Sequence, residues 1–360
     1  MNKRNKRLKR ALTIVVASMI LLLTGYVVYV KASIYRQEDA LALSVDRHAE
    51  DGISTEAPFS VMTYNIGMGI YSADFGFFMD GGKAGRAKSP EEVLKNTNGA
   101  ISTLMNLSPD FIFLEEAGVN CTCNYHINQL EMLRAAFPAF DSVYAQNWDS
   151  PYFAYPIFKP FGKSVAGLST FSKYRIDYST RYSLPIEDSF TNFVDLDRCY
   201  TKSVVHADTE RDLILYCIHA SAYTKTAETA NNQIKILMGD MLGEYEKGNY
   251  VIAGGDWNRC VDGDPEILYG TSVEGRAWLS PLNRSVLPES FIVVSGIDEE
   301  HPVPSGRNAD GPYDPSTQAQ GNIDGFIISD NLTLRSAHVV DTGFAYSDHN
   351  PVYMELEFIK

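Results

Sequence analysis

Val251-Ile-Ala-Gly-Gly-Asp-Trp-Asn258 is the stretch on which the reading of this chain turns. Its small and apolar residues form a buried strand, Gly254 and Gly255 end it, and Asp256 and Asn258 stand just past its C-terminal edge. Open α/β sheets place their chemistry at such edges. Residues without a Cβ let the backbone turn sharply and a ligand come close, so the two polar side chains project together above the sheet. Taken alone, the pattern fits a capped turn better, and its weight comes from what surrounds it.

Other apolar runs end the same way. Phe59-Ser-Val-Met-Thr-Tyr-Asn-Ile66 is a strand with Asn65 near its end. Ser89-Pro-Glu-Glu92 gives an N-cap, a proline at the first helical position and a capping-box Glu, opening a helix toward Leu107. Phe111 to Leu114 is a second strand, closed by Glu115 and Glu116, and a purely structural strand rarely ends on two acids. A helical stretch covers Tyr125 to Phe137, and strands are expected at Ala166 to Ser172, Thr201 to His206 and Leu213 to His219. A long amphipathic helix, Ala227 to Glu246, leads into the opening strand. Beyond Asn258 come a loop region with Asp262, Asp264 and Pro265, a strand near Ser290 to Val294, and one long loop from Asp298 to Gln320. Strands at Ile323 to Ser329, Ala337 to Asp341 and Pro351 to Phe358 close the chain, which has no repeats.

Asn65, Glu116, His219, Asp256, Asn258, Asp324, Asp348 and His349 thus stand at or beside the ends of separate apolar strands. Each alone has a mundane reading as a cap or a packed histidine. Together they form a set of carboxylates and carboxamides with few thiols, which suits Mg²⁺ or Mn²⁺. Two histidines add general base chemistry and charge stabilisation, as attack of water on phosphorus requires.

The ordered motifs Thr63-Tyr-Asn-Ile66, Phe113-Leu-Glu-Glu116, Cys217-Ile-His-Ala-Ser221, Gly254-Gly-Asp-Trp-Asn258, Ile323-Asp-Gly-Phe-Ile-Ile-Ser329 and Ser347-Asp-His-Asn-Pro-Val352 resemble the endonuclease/exonuclease/phosphatase superfamily, the metal-dependent phosphohydrolases that share the DNase I fold. The resemblance covers Phe59 to Lys360 and implies a four-layer α/β sandwich, two packed mixed β-sheets flanked by helices, with the site at one end. It implies that Glu116 is the principal metal ligand with Asn65 and Asp348 beside it, and that Asp256 orients or deprotonates the attacking water. Asn258 and His219 would hold phosphate oxygens. His349 would act on the scissile phosphate with Asp324 fixing its tautomer, and either His349 or Asp256 fits the base. Glu115 stands where the family usually has Gln, an added acid that would favour a second cation. Ser164 to Ser172 lacks the acid that pancreatic-type DNases pair with their histidine, which weakens the DNA-endonuclease branch. Arg198 and Lys202 are candidate phosphate contacts, with a solvated basic edge as the alternative.

Composition sets the surroundings. With 360 residues, 45% hydrophobic, the chain can fill a large core. Met1 to Arg10 holds six Lys/Arg and no acid, so the remainder carries 25 basic against 45 acidic residues, a net −20 that disfavours nucleic acid as a partner. Ala11 to Val30 runs 20 positions without a charge, and at ~1.5 Å per residue it spans the ~30 Å hydrocarbon core. It is longer than the apolar region of a cleavable signal and ends in Tyr26 and Tyr29, which suit an interface belt. We therefore expect an uncleaved transmembrane anchor preceded by a cytoplasmic basic tail, with a polar linker from residue 31 to 58 and an extracellular domain from 59 to 360. Cys121, Cys123, Cys199, Cys217 and Cys260 would lie in an oxidising compartment, and an odd count leaves at least one outside any intrachain bridge. Cys121, Cys123 and His126 lack a fourth ligand, so buried thiols or one disulfide are expected there. The expectation is a membrane-anchored, metal-dependent phosphoesterase acting on a small phosphoester or a phospholipid head group. The alternatives are a surface nuclease and a silent binding domain, and no obligate protein partner is inferred.

Overall fold

The computed structural model describes residues 3–33, 35–187, 197–222 and 228–359. Its strands, in chain order, are β1 (Leu41–Leu43), β2 (Val45–Asp46), β3 (Phe59–Asn65), β4 (Phe111–Gly118), β5 (Asp141–Asp149), β6 (Val165–Ser172), β7 (Ile176–Ser183), β8 (Cys199–His206), β9 (Asp212–His219), β10 (Tyr250–Asp256), β11 (Phe291–Val294), β12 (Gly306–Arg307), β13 (Gln320–Gly321), β14 (Asp324–Ser329), β15 (Leu332–Val339) and β16 (Val352–Phe358). The α-helices are α1 (Lys3–Ser33), α2 (Pro90–Leu107), α3 (Gln129–Ala136), α4 (Glu228–Tyr245) and α5 (Pro265–Tyr269).

Two seven-stranded sheets form, in the orders β1-β7-β8-β9-β10-β14-β11 and β15-β16-β3-β4-β6-β5-β2. Both are mixed: β9 and β10 are parallel in the first sheet, β3 and β4 in the second. The inward side chains of both, among them Val61, Phe113, Leu215, Ile252 and Phe326, make one core between the sheets. Ile234, Leu237 and Met241 of α4 cover the outer face of the first sheet, while Ala100 and Leu104 of α2 and Leu133 of α3 cover that of the second. Helix, sheet, sheet and helix make the four layers expected. This double coverage explains why β10 reads as an unbroken apolar run rather than an alternating one.

Ser89 caps α2 by accepting the Glu92 amide hydrogen, but the reciprocal half of the box is shifted: Glu92 Oε2 accepts from Lys88 N at 2.7 Å. Helix α3 begins only at Gln129, because Tyr125 and His126 take positive φ (59° and 63°) and Asn128 caps the helix. Ala227, the first residue of the expected long helix, lies outside the described residues. β15 starts at Leu332, five residues before the strand expected at Ala337. All five cysteines are free and buried.

The stretch expected to be a linker joins the domain. Leu41–Leu43 pairs with Ser179–Arg181, and Val45–Asp46 pairs with Ser142–Val143, so one short segment completes an edge of each sheet. Its signal is the alternation of Leu41, Leu43 and Val45, two of which pack on the core, and it is too short to stand out among charges. α1 is longer than the uncharged run, reaching back into the basic residues, and Leu21 and Leu22 on it are 74% and 73% exposed. It is long and apolar enough to cross a membrane.

Gly255, at the end of β10, has φ +149°, and a Cβ there would lie 1.9 Å from the Ile218 carbonyl oxygen and 3.1 Å from Glu115 Oε1. Both the backbone conformation and the space exclude a side chain. Gly255→Ala should therefore destabilise the domain by about 3 kcal/mol or more. A denaturant midpoint equal to that of the unchanged protein would contradict this.

Candidate active site

Strand register assembles the site. Asp256 on β10 lies opposite His219 on parallel β9 and opposite Asp324 on antiparallel β14, so three separate sequence motifs become one row across the first sheet. Trp257 is fully buried with its Nε1 donating to the Gly325 carbonyl at 3.0 Å, which pins the chain between Asp256 and Asn258. The second sheet brings Asn65 and Glu115 side by side, and Ser347 Oγ donates to the Asn65 carbonyl at 2.7 Å, drawing the Asp348-His349 turn over the same end.

Asp256 Oδ2 is the hub. Asn65 Nδ2 donates to it at 3.1 Å, His219 Nε2 lies 3.3 Å away and His349 Nε2 3.7 Å away. Its Oδ1 accepts from the Asn258 amide at 2.9 Å. On the far side of the ring, His349 Nδ1 lies 2.9 and 3.1 Å from the two oxygens of Asp324. Ser305 Oγ fixes Asp324 in turn by accepting its backbone N–H at 2.9 Å. Burial pushes His349 down, but Asp324, Asp256 and Asp348 outweigh it and hold the imidazole well above its usual range. His219 goes the other way: burial, then Arg198 and His349, hold it well below 6.5, so it is neutral.

Glu116 is set apart by a β-bulge between Leu114 and Ala117 in the pairing with β6, and it takes φ +54°. Bulges and left-handed non-glycine residues re-aim side chains beside sites. The bulge separates two adjacent acids. Glu115 is fully buried between the sheets, accepting from Thr63 Oγ1 at 3.1 Å and Cys217 Sγ at 3.5 Å. Burial, with Asp324 and Asp256, raises it far above the carboxylate range. Its carboxylate is thus held in the interior by Thr63 and Cys217. Glu116 and Asp348 are partly open to solvent. Burial and Asp348 raise Glu116 to about 8, and burial raises Asp348, against His349 and Arg307.

The architecture is matched among solved structures. An endonuclease/exonuclease/phosphatase from Beutenbergia cavernae superposes with a TM-score of 0.57 at 16% identity, over 84% of this chain and 72% of that one. ANGEL2, a 2',3'-cyclic phosphatase, in complex with adenosine-2',3'-vanadate, gives 0.56 at 12% identity over 88% and 99%. The human Nocturnin catalytic domain with a bound sulfate anion gives 0.52 at 15% identity over 88% and 97%. The chain has the endonuclease/exonuclease/phosphatase fold. No protein-family model and no curated protein matches the sequence.

Within this endonuclease/exonuclease/phosphatase fold the candidate residues separate into those gathered at the site and one that is not. Lys202 is a correction: its Nζ pairs with Asp240 at 2.8 Å and Glu244 at 2.6 Å on α4, on the outer face of the sheet. Arg198 is buried with Nη1 3.5 Å from the His219 carbonyl oxygen, and it offsets the rise at Glu116. His219 turns Nε2 toward Asp256, and its buried Nδ1 has no partner among the described residues. Asn258 Nδ2 donates to the Ala220 carbonyl at 2.9 Å. Two residues went unread in the sequence. Ser305 braces Asp324, and Arg307 donates its backbone N–H to the Asp348 carbonyl at 3.0 Å while Nη2 reaches Ser72 O at 3.2 Å. Ser305 precedes the two-residue strand β12 and Arg307 ends it, inside the stretch expected to be one long loop, where no periodicity marks a residue.

The residues fit a hard cation. Glu116, Asp348 and Asn65 offer oxygens, and among the described residues no hydrogen bond reaches the Glu116 carboxylate, whose proton affinity is raised first by burial and then by Asp348. Asp256, Asp324 and His349 also bring ligand atoms within 4.8 Å of one another and could hold a metal ion. There, however, Nδ1 of the ring is already hydrogen-bonded to Asp324, which leaves the oxygen set as the better cradle. A pH dependence follows. Glu116, Asp348 and His349 are all raised, so between pH 6.5 and 8 the folded protein binds more protons than the unfolded chain, and its stability falls as pH rises. A cation held by Glu116 and Asp348 would compete with the protons on those two carboxylates. In chelator, Tm should drop from pH 6.5 to 8, and Mg²⁺ should raise Tm more at pH 8 than at pH 6.5; calorimetry showing equal shifts would contradict the assignment.

Proposed function

We propose that the chain is a membrane-anchored, extracytoplasmic, divalent-metal-dependent phosphoesterase, hydrolysing a phosphodiester or phosphomonoester, with a small phosphoester or phospholipid head group favoured. The observation that carries it is the row His219, Asp256, Asp324 with His349 across it, beside the acids Glu116 and Asp348, at one end of the two sheets.

A divalent cation held by Glu116, Asp348 and Asn65 would neutralise charge on the phosphate oxygens. The chain's own groups divide the remaining work. Asp324 holds Nδ1 of His349, so Nε2 faces the space shared with Asp256. Because His349 keeps its proton, it stabilises negative charge on the phosphate or gives that proton to the leaving oxygen. That leaves Asp256 to orient and deprotonate the attacking water. Neutral His219 and Asn65 act as positioning residues by holding Asp256 Oδ2 in place, a role that differs from the phosphate contact expected for His219. Arg198 supplies positive charge behind Glu116. With Lys202 paired elsewhere, fewer cations face the site, and nucleic acid stays the less favoured substrate.

The full chain in lipid nanodiscs should hydrolyse bis(p-nitrophenyl) phosphate or p-nitrophenyl phosphate with Mg²⁺ or Mn²⁺ and stop in chelator. Parallel assays on plasmid DNA, sphingomyelin and inositol phosphates would assign the leaving group. Hydrolysis indifferent to chelator, or none on any of these esters, would sink the proposal. For topology, protease added to intact cells should release a fragment close in size to residues 31–360; protection of that fragment until lysis would place the domain inside.

A further inference from the structure

The loop joining β5 to β6 carries the most exposed large apolar side chain among the described residues. Phe158 is 98% exposed, Ile157 77% and Tyr155 53%. The loop is a built hairpin: Phe153 and Gly162 exchange backbone hydrogen bonds at 3.0 and 2.9 Å, and Phe161 N donates to Tyr155 O at 2.9 Å. Phe161 is buried, stacking on Trp148 at 5.4 Å between ring centres and packing against Phe77 and Phe78. The tip is therefore held outward by a rigid base. From Ser150 to Ser164 the chain contains no acid and two lysines, in a molecule whose residues after Arg10 carry a net −20.

Contacts with α1 say what the tip faces. Tyr152 N donates to Tyr29 Oη at 3.1 Å, Tyr26 Oη donates to Tyr152 O at 3.0 Å, and Ala154 N donates to Tyr26 Oη at 3.4 Å. Advancing along the loop from 152 to 154 moves the contact from Tyr29 to Tyr26, toward the middle of the apolar helix. Tyr155, Ile157 and Phe158 continue from there. Aromatic rings with a polar atom settle at the membrane interface, lysines reach out to head groups, and a Phe-Ile tip gains by entering the acyl boundary.

We propose that the tip formed by Tyr155, Ile157 and Phe158 inserts into the same bilayer leaflet that surrounds the C-terminal end of α1, giving the domain a second membrane contact beside its anchor. This rests on the membrane reading of α1. The same aromatic cluster that carries the loop includes Met68 and Tyr71, and the Tyr71 ring lies against Gly67, which also neighbours Asp348 Oδ1. The inserted loop and the rim of the site are thus one packed unit, and the site is held at the bilayer surface, where a lipid phosphoester is the substrate within reach.

Tryptophan reporters test this without any turnover, so failure of the phosphoesterase reading leaves the result unaffected. Full-length Phe158→Trp and Ile157→Trp are reconstituted in separate vesicles of phosphatidylcholine brominated near the head-group end or near the terminal end of its acyl chains. Leu21→Trp serves as the reporter for α1 and Ile267→Trp, at an exposed position on α5, as the control for solvent. After subtraction of the native tryptophans, the emission from positions 157, 158 and 21 should be strongly quenched by brominated lipid and that from 267 unchanged. Quenching at 21 with none at 157 and 158 would overturn the inference and leave the anchor standing. Absence of quenching at 21 as well would overturn both.

Discussion

Alanine in place of His349 or of Asp324 should each lower kcat/KM by roughly 10²- to 10⁴-fold, the range for loss of a positioned acid or base. The double variant should lose little more than either single. The two side chains come from strand ends 25 positions apart in sequence, yet Nδ1 lies 2.9 Å from one carboxylate oxygen and 3.1 Å from the other. The backbone of Asp324 is fixed by Ser305, and both oxygens of its carboxylate lie against the ring. Groups that act as one unit are strongly non-additive on removal. If Asp324 merely capped a turn, its loss would multiply with that of His349. Measured at saturating Mg²⁺ with circular dichroism as a folding control, multiplicative losses in folded proteins would dissolve the pair.

A second large effect separates two adjacent acids. Glu116→Gln should lower kcat/KM by at least about 10²-fold, because it would remove a ligand from the proposed cation, whose charge stabilisation amounts to several kcal/mol. Glu115→Gln should leave most of the rate. Glu115 lies buried between the sheets, where burial raises its proton affinity, and an amide of the same shape can keep the contacts with Thr63 Oγ1 and Cys217 Sγ. The distinguishing measurement is the Mg²⁺ concentration for half-maximal rate, which should rise for Glu116→Gln and stay put for Glu115→Gln. Equal losses from both would mean that the ligand has been placed one residue off.

The central strands were legible because they are covered on both faces, and continuous apolar runs such as Phe111 to Leu114 and Val251 to Ala253 carry the signal undiluted. The strands toward the β1 and β2 rims were not. Ile176–Ser183 is largely polar, Asp141–Asp149 alternates between a core face and a mixed one, and Leu41–Asp46 is too short to show a period. The site residues were legible as strand-end polar groups, but their directions were not, since a one-residue step turns a strand side chain to the other face. Lys202 shows this: it stands one register step from residues facing the core, and the Asp240/Glu244 pair, four apart on α4, was the overlooked sign of its partner. The bulge at Glu116 was equally invisible, because it exists only in the pairing with β6.

The edge strands β1 and β2 also determine how the domain would meet a mechanical load. A pull on α1 enters the domain through Arg36, whose guanidinium lies 3.4 Å from Asp197, and then through Leu41–Leu43 and Val45–Asp46 at the rims of the two sheets. The residues of the site stand on or beside β3, β4, β9, β10, β14 and β16, in the interior of both sheets. Tension would peel away the rims first and spend itself in lengthening the tether, while the strands that carry the chemistry stay paired. The short segment between α1 and the inner strands is in that sense a mechanical fuse.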